Sequence, residues 1–137
     1  MPSKINHIGI AVNDIETAAK FYTEALGLPL VGVEEVASQK VKVAFLPIGE
    51  VRIELVQPTS PESPVAKFIE KNGGPGIHHI AYQVADVAAE VEKLKSAGVK
   101  MVDETPRAGA HGTSIAFVHP KASGGVLTEL VQEMGGH

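Results

Sequence analysis

The feature that most constrains this chain is that it repeats itself. Ile5-Asn6-His7-Ile8, followed by Val12-Asn13-Asp14-Ile15, returns as Ile77-His78-His79-Ile80, followed by Val84-Ala85-Asp86-Val87. His7 and His79 therefore stand 72 residues apart, as do Asp14 and Asp86. Val43-Ala44-Phe45-Leu46 returns at the same offset as Ile115-Ala116-Phe117-Val118. Glu54-Leu55-Val56-Gln57 returns at an offset of 75 as Glu129-Leu130-Val131-Gln132, after a small insertion. Three blocks in order and nearly in register exclude coincidence, so two copies of one supersecondary unit make up the chain.

Each copy reads as βαβββ. In the first, residues 5–12 alternate as a strand does. Asp14 caps a helix over 14–26, with Ile15, Ala18, Ala19, Phe21, Tyr22 and Leu26 at helical spacing and Gly27 as its stop. Strands are expected near 29–36, 40–47 and 50–57, the last two joined through Gly49-Glu50. Pro58-Thr59-Ser60-Pro61 starts a linker, and Ser63-Pro64 opens a helix to Asn72, with proline in its first turn. The second copy predicts a strand over 77–84, a helix over 86–97 stopped by Gly98, and strands near 99–103, 113–118 and 125–132. Pro106–Thr113 reads as a long glycine-containing loop suited to a substrate-facing flap. The expected architecture is a single α+β domain over 1–137. Its modules, 5–57 and 77–132, are joined by a linker helix within 58–76. Their strands form one curved mixed sheet with a metal-binding cleft, and helices 14–26 and 86–97 cover its convex side.

Composition narrows the function. The chain has 137 residues, 44% apolar and 20% charged, which suits one packed domain. With 12 basic and 16 acidic residues, a net charge of -4 and no basic cluster, nucleic acid and anionic membrane surfaces are poor partners. The absence of cysteine excludes disulfides, zinc-thiolate sites and thiol nucleophiles. No apolar run approaches the ~20 residues of a membrane helix. Met1-Pro2-Ser3-Lys4-Ile5 enters a strand pattern at once, with no signal-peptide core, so a cytoplasmic location is expected.

The repeat also places chemistry symmetrically. His7 and His79 occupy the same position of the first strand in each copy, and Glu54 and Glu129 the same position of the last. All four have apolar neighbours and read as inward-pointing polar groups. Burying two carboxylates is costly unless something compensates them. A divalent cation does so, because two neutral imidazoles and two carboxylates around it give zero net charge. Such nitrogen and oxygen ligation suits Zn, Co, Ni, Mn or Fe(II). His78 points to the face opposite His79 and has Asn6 at its repeat position, so it reads as a support to the neighbouring site or as structural. His111, in the Gly109-Ala110-His111-Gly112 loop, is placed to reach a substrate. His119 and His137 have no repeat partner, and the terminal His137 reads as solvated.

Paired βαβββ units with His on the first strand and Glu on the last resemble the vicinal oxygen chelate superfamily, to which glyoxalase I belongs. Within it, three segments resemble the methylmalonyl-CoA epimerase family. They are Ser63–Lys71 before Gly76-Ile77-His78-His79-Ile80-Ala81, Gly109-Ala110-His111-Gly112 with Ile115–Lys121, and Gly125-Val126-Leu127-Thr128-Glu129-Leu130. The resemblance spans the chain. It implies metal ligation by His7, Glu54, His79 and Glu129, with Co, Mn, Ni or Zn as the ion. It also implies a homodimer and an acyl-CoA substrate, whose (R) and (S) epimers interconvert by α-proton removal through a metal-stabilised enolate. Glu54 departs from one version of the family. That version has Gln there and a separate, non-ligating carboxylate on the preceding strand, at a position matched here to Lys42. Alternation on that strand gives Lys42, Ala44 and Leu46 to the cleft, and Val43 and Phe45 to the helix side. The expected bases are Glu129 and, opposite it, Glu54 or Lys42. A cationic Lys42 pairs a substrate carboxylate more readily than it abstracts a proton. Arg107 and Lys121, in loops at the cleft mouth, are the expected contacts to the CoA tail. A glyoxalase I-type isomerase (lactoylglutathione lyase) and a metal-free ligand-binding protein of the bleomycin-resistance type are the alternatives.

Overall fold

The computed structural model describes residues 1–134, so His137 lies outside the described residues. The chain divides into two compact units, His7–His78 and Met1–Asn6 with His79 onward. The first contains most of β1 (Lys4–Ala11), α1 (Ile15–Lys20), β2 (Gly32–Val36), β3 (Val41–Ile48), β4 (Val51–Pro58) and α2 (Pro64–Asn72). The second contains most of β5 (Gly76–Gln83), α3 (Val87–Ser96), β6 (Arg107–Ala108), β7 (Ser114–Val118) and β8 (Thr128–Gln132). Strand order is β2-β3-β4-β1 in the first unit and β5-β8-β7-β6 in the second. In both, the first strand runs parallel to the last and the other pairs are antiparallel. Each unit thus carries the β-α-β-β-β order that the repeat predicts. No helix among the described residues is long and apolar enough to cross a membrane.

In the first unit, Ala44 pairs with Leu55 and Leu46 with Ile53. Ala44, Leu46 and Leu55 pack with Val12, Ile15 and Ala19 into one buried cluster beneath α1. Full burial of a leucine side chain contributes roughly 1.5–3 kcal/mol, and truncating Leu55 to Ala should cost about 2–5 kcal/mol. Strand side chains alternate, so Val43, Phe45 and Glu54 take the other face, where Phe45 is the register partner of Glu54. This reverses the alternation read from the sequence. Lys42, paired with Gln57, goes with Ala44 and Leu46 to the helix face.

Asp14 caps α1 as expected, its carboxylate accepting from Thr17 N and Thr17 Oγ1. The helix does not continue unchanged to residue 26. Phe21–Ala25 forms a π-helical turn, in which Leu26 N donates to Phe21 O. The wider turn carries Leu26 off the buried stripe, so that Phe21 and Leu26 are 57% and 56% exposed while Tyr22 packs on the core. Helix α2 begins and ends as the sequence predicts. Ser63 accepts from Val65 N, Pro64 occupies the first turn, and Gly73 closes the helix at φ 75°, a conformation that favours glycine.

The second unit repeats the packing, with Val87 and Val91 of α3 on Ala116, Val118 and Leu130. Asp86 caps α3 by accepting from Ala89 N. The strand expected near 99–103 is reduced to a single bridge between Met101 and Val118. The cause is local. Asp103 Oδ2 takes the Phe117 N–H at 2.9 Å, and Phe117 O accepts from both Val102 N and Asp103 N, so no regular ladder forms. The expected flap at 106–113 is also different. Arg107–Ala108 pairs with β7, and the turn that follows is tied by Gly109 N to Thr113 O and by Thr113 Oγ1 to Ala110 O.

Candidate functional site: a histidine–glutamate pair in each repeat

Each unit buries one imidazole against one carboxylate, on the sheet face away from its capping helix. In the first unit His7 Nδ1 lies 3.3 Å from Glu54 Oε2. In the second His79 Nε2 lies 3.0 Å from Glu129 Oε1. The four residues are 5–6% exposed. Register explains the placement. His7 is opposite Arg52 and Gly9 opposite Glu54 on the parallel β1–β4 pair, while Ala81 is opposite Glu129 on β5–β8. A histidine two residues before each of those partners therefore shares the face of the glutamate.

The surroundings of the two pairs differ. Arg52, on the same face of β4 two residues before Glu54, brings Nε to 3.2 Å from Glu54 Oε2. Sequence reasoning missed Arg52. Its signal was the period of two, which puts a cation beside the buried carboxylate. In the second unit the aromatic side chain of Phe117, register partner of Glu129, meets His79 edge-on, with ring centroids 5.6 Å apart and planes at 86°. Arg107 Cζ sits 5.5 Å from the Phe117 ring centroid. Arg107 Nε is 3.2 Å from Asp103 Oδ1, although its N–H makes no hydrogen bond among the described residues. Distance satisfies the ion pair and direction does not satisfy the hydrogen bond, so the contact is charge pairing alone. Arg107 thus sits on a strand with its charge engaged, in place of the loop position expected for a CoA contact.

The other predicted residues fall elsewhere. Lys42 is exposed on the helix face, where it lines a cavity of about 380 Å³ with Asp14, Ile15, Glu16, Val33 and Gln57. It stands on the face opposite that of Glu54, not on the cleft side expected from the sequence. His78 turns to α2, its ring 5.0 Å from that of Phe68, as a structural reading requires. His111 is exposed and left-handed at φ 57° and ψ 32°, a conformation costing a non-glycine residue about 1–2 kcal/mol. His119 Nδ1 accepts from Lys121 N at 3.0 Å. Desolvation, with the charges of Lys100 and Lys121, holds His119 below the usual imidazole range. Lys121 is exposed in the turn that follows β7.

The donor set fits a divalent cation. His79 and Glu129 offer an imidazole nitrogen and a carboxylate oxygen to an ion, and His7 and Glu54 offer the same chemistry in the first unit. Neutral imidazole and carboxylate are the donors that Co, Mn, Ni and Zn accept without thiolates.

Residues 6–117 match the Glyoxalase/Bleomycin resistance protein/Dioxygenase superfamily. The chain belongs to that superfamily. It is 41% identical over 133 residues to the ethylmalonyl-CoA/methylmalonyl-CoA epimerase of Cereibacter sphaeroides, covering 96% of this chain and 99% of the relative. Methylmalonyl-CoA epimerase from Mycobacterium tuberculosis superposes with a TM-score of 0.91 at 40% identity, covering 96% of this chain and 89% of that one. A single-residue variant of the Streptomyces coelicolor methylmalonyl-CoA epimerase, in complex with 2-nitronate-propionyl-CoA, superposes with a TM-score of 0.94 at 38% identity, covering 98% of this chain and 97% of that one. The fold class expected from the repeat, an α+β chain of two βαβββ modules with the glyoxalase-type fold, is the one found.

Proposed function

We propose that this chain interconverts the (R) and (S) epimers of methylmalonyl-CoA. The observation that carries the reading is the buried His–Glu pair in each repeat, on a chain 41% identical to a named epimerase over almost its full length. The reacting C–H lies between a thioester carbonyl and a carboxylate, which makes it weakly acidic. Inversion requires one group to take that proton from one face and a second group to return a proton to the other. Glu129 and Glu54 are the two groups, one from each repeat. Glu54 has Oε2 engaged by His7 and Arg52, so Oε1 is the oxygen assigned to proton transfer. The His79 contact on Glu129 Oε1 orients that carboxylate in the same way. His7, Glu54, His79 and Glu129 would hold one divalent ion (Co, Mn, Ni or Zn). Such an ion supplies positive charge to the thioester oxygen as negative charge gathers there. His111 and Lys121, both exposed on the second unit, are the proposed contacts to the acyl-CoA. Exposed Phe21, Leu26 and Val31 support a homodimer, which light scattering checks.

The test supplies a single epimer of methylmalonyl-CoA and, separately, the methylglyoxal–glutathione adduct. The expected result is an equal mixture of methylmalonyl-CoA epimers and no lactoylglutathione. Lactoylglutathione formation with methylmalonyl-CoA left unchanged would overturn the proposal in favour of a glyoxalase I-type isomerase.

A further inference from the structure

We infer that Phe117 is a positioning residue for His79, held in place by a clamp of Asp103 and Arg107. Asp103 uses its two oxygens on two partners. Its Oδ2 accepts from the Phe117 backbone N–H at 2.9 Å, and its Oδ1 lies 3.2 Å from Nε of Arg107, whose guanidinium stands over the Phe117 ring. The Phe117 ring, 6% exposed, in turn meets the His79 imidazole at 86°. An imidazole turns easily about its last side-chain torsion, and that turn takes a ring nitrogen away from its partner and puts a ring carbon in its place. A flat ring packed across it closes this freedom and keeps Nε2 toward Glu129 Oε1.

The arginine of the clamp has no equivalent in the first repeat. Arg107 pairs with Ile115 on β7, and the repeat equivalent of Ile115 is Val43, which pairs with Glu34 on β2. The first repeat therefore carries a glutamate where the second carries the clamping arginine. The inference rests on the proposed role of His79 and extends it to residues two contacts away.

The experiment compares the unaltered protein with F117L, F117Y, R107L and D103N. The metal-free proteins are read by the nitrogen and proton NMR signals of the His79 ring, and Co²⁺ binding by visible absorption. F117L should shift and broaden the His79 Nε2 signal, as the ring samples a second orientation, and weaken Co²⁺ binding roughly tenfold, as loss of a partner that orients a metal ligand does. F117Y, which keeps the ring, should restore both readouts. R107L and D103N should show the same change at smaller amplitude, with thermal melting confirming that they fold. If F117L does not fold, R107L on its part-exposed side chain decides the question. Unchanged His79 signals and unchanged Co²⁺ affinity in F117L, or in R107L where F117L is lost, would overturn the inference. Failure of the unaltered protein to take up Co²⁺ would overturn the metal assignment alone, because the imidazole signals still decide whether the clamp positions His79.

Discussion

The two repeats place a histidine and a glutamate at equivalent positions and then surround them differently. Glu54 shares a single oxygen between His7 and the guanidinium of Arg52. The repeat equivalent of Arg52 is Leu127, so no guanidinium stands at the matching place beside Glu129. The second repeat carries its arginine one strand pair away, at Arg107, where the charge is spent on Asp103 and the Phe117 ring. The backbone duplicates the pair and the side chains divide the labour. Glu54 has a guanidinium in contact, and Glu129 has an imidazole whose ring meets Phe117 edge-on.

Removing a histidine should have the largest effect. His79→Ala and His7→Ala should each lose Co²⁺ binding and epimerase turnover by more than about 100-fold, since loss of an outer partner alone costs 10–100-fold. Metal analysis of the purified variants, with circular dichroism as the fold control, checks this. Full metal content in both would break the symmetry of the pairs as ligands. Next comes Arg52→Leu, which strips one partner from a carboxylate that is 5% exposed. An under-satisfied buried group costs about 1–3 kcal/mol, to be read as a lower urea midpoint. Arg107→Leu, acting on a side chain 39% exposed, should cost less, about 0.5–1 kcal/mol. Equal losses would remove the distinction between the two arginines.

The smallest effect is in the acid limb of the first unit. Hydrogen bonds from the Thr17 hydroxyl and backbone N–H hold the Asp14 carboxyl below its ordinary value of 3.8. A depressed folded value gives stability that is present above 3.8 and is lost as pH falls through the folded value. Asp14→Asn, which does not titrate, should flatten that slope between about pH 4 and 2 in urea midpoints. An unchanged slope would show that the cap titrates as it does in the unfolded chain.

Much of this was legible in the sequence because the repeat carries it. The order of elements, the caps at Asp14, Ser63 and Asp86, and the burial of His7, Glu54, His79 and Glu129 follow from periodicity and turn chemistry. The failures have physical causes. Lys42 was given to the wrong face because a strand of apolar residues buried on both sides, such as Val43, Ala44, Phe45 and Leu46, has no polar alternation to set its phase. The π-turn at Phe21–Ala25 has no signature in helical spacing, since one extra residue per turn leaves local composition unchanged. Arg107 looked like a loop charge, because the Phe117 ring comes beside it only when β6 pairs with β7.

The most direct test of the central claim, that each repeat supplies one acid–base group, is isotope exchange read separately for each epimer. Glu129→Gln and Glu54→Gln proteins are incubated with each epimer of methylmalonyl-CoA in deuterated water, with metal content measured alongside. Both variants should retain metal, because Gln still offers an oxygen, and both should lose nearly all net epimerisation. Glu129→Gln should exchange deuterium into one epimer only and Glu54→Gln into the other. Full epimerase activity in Glu54→Gln would contradict the claim and leave Glu54 as a ligand, with the second base elsewhere.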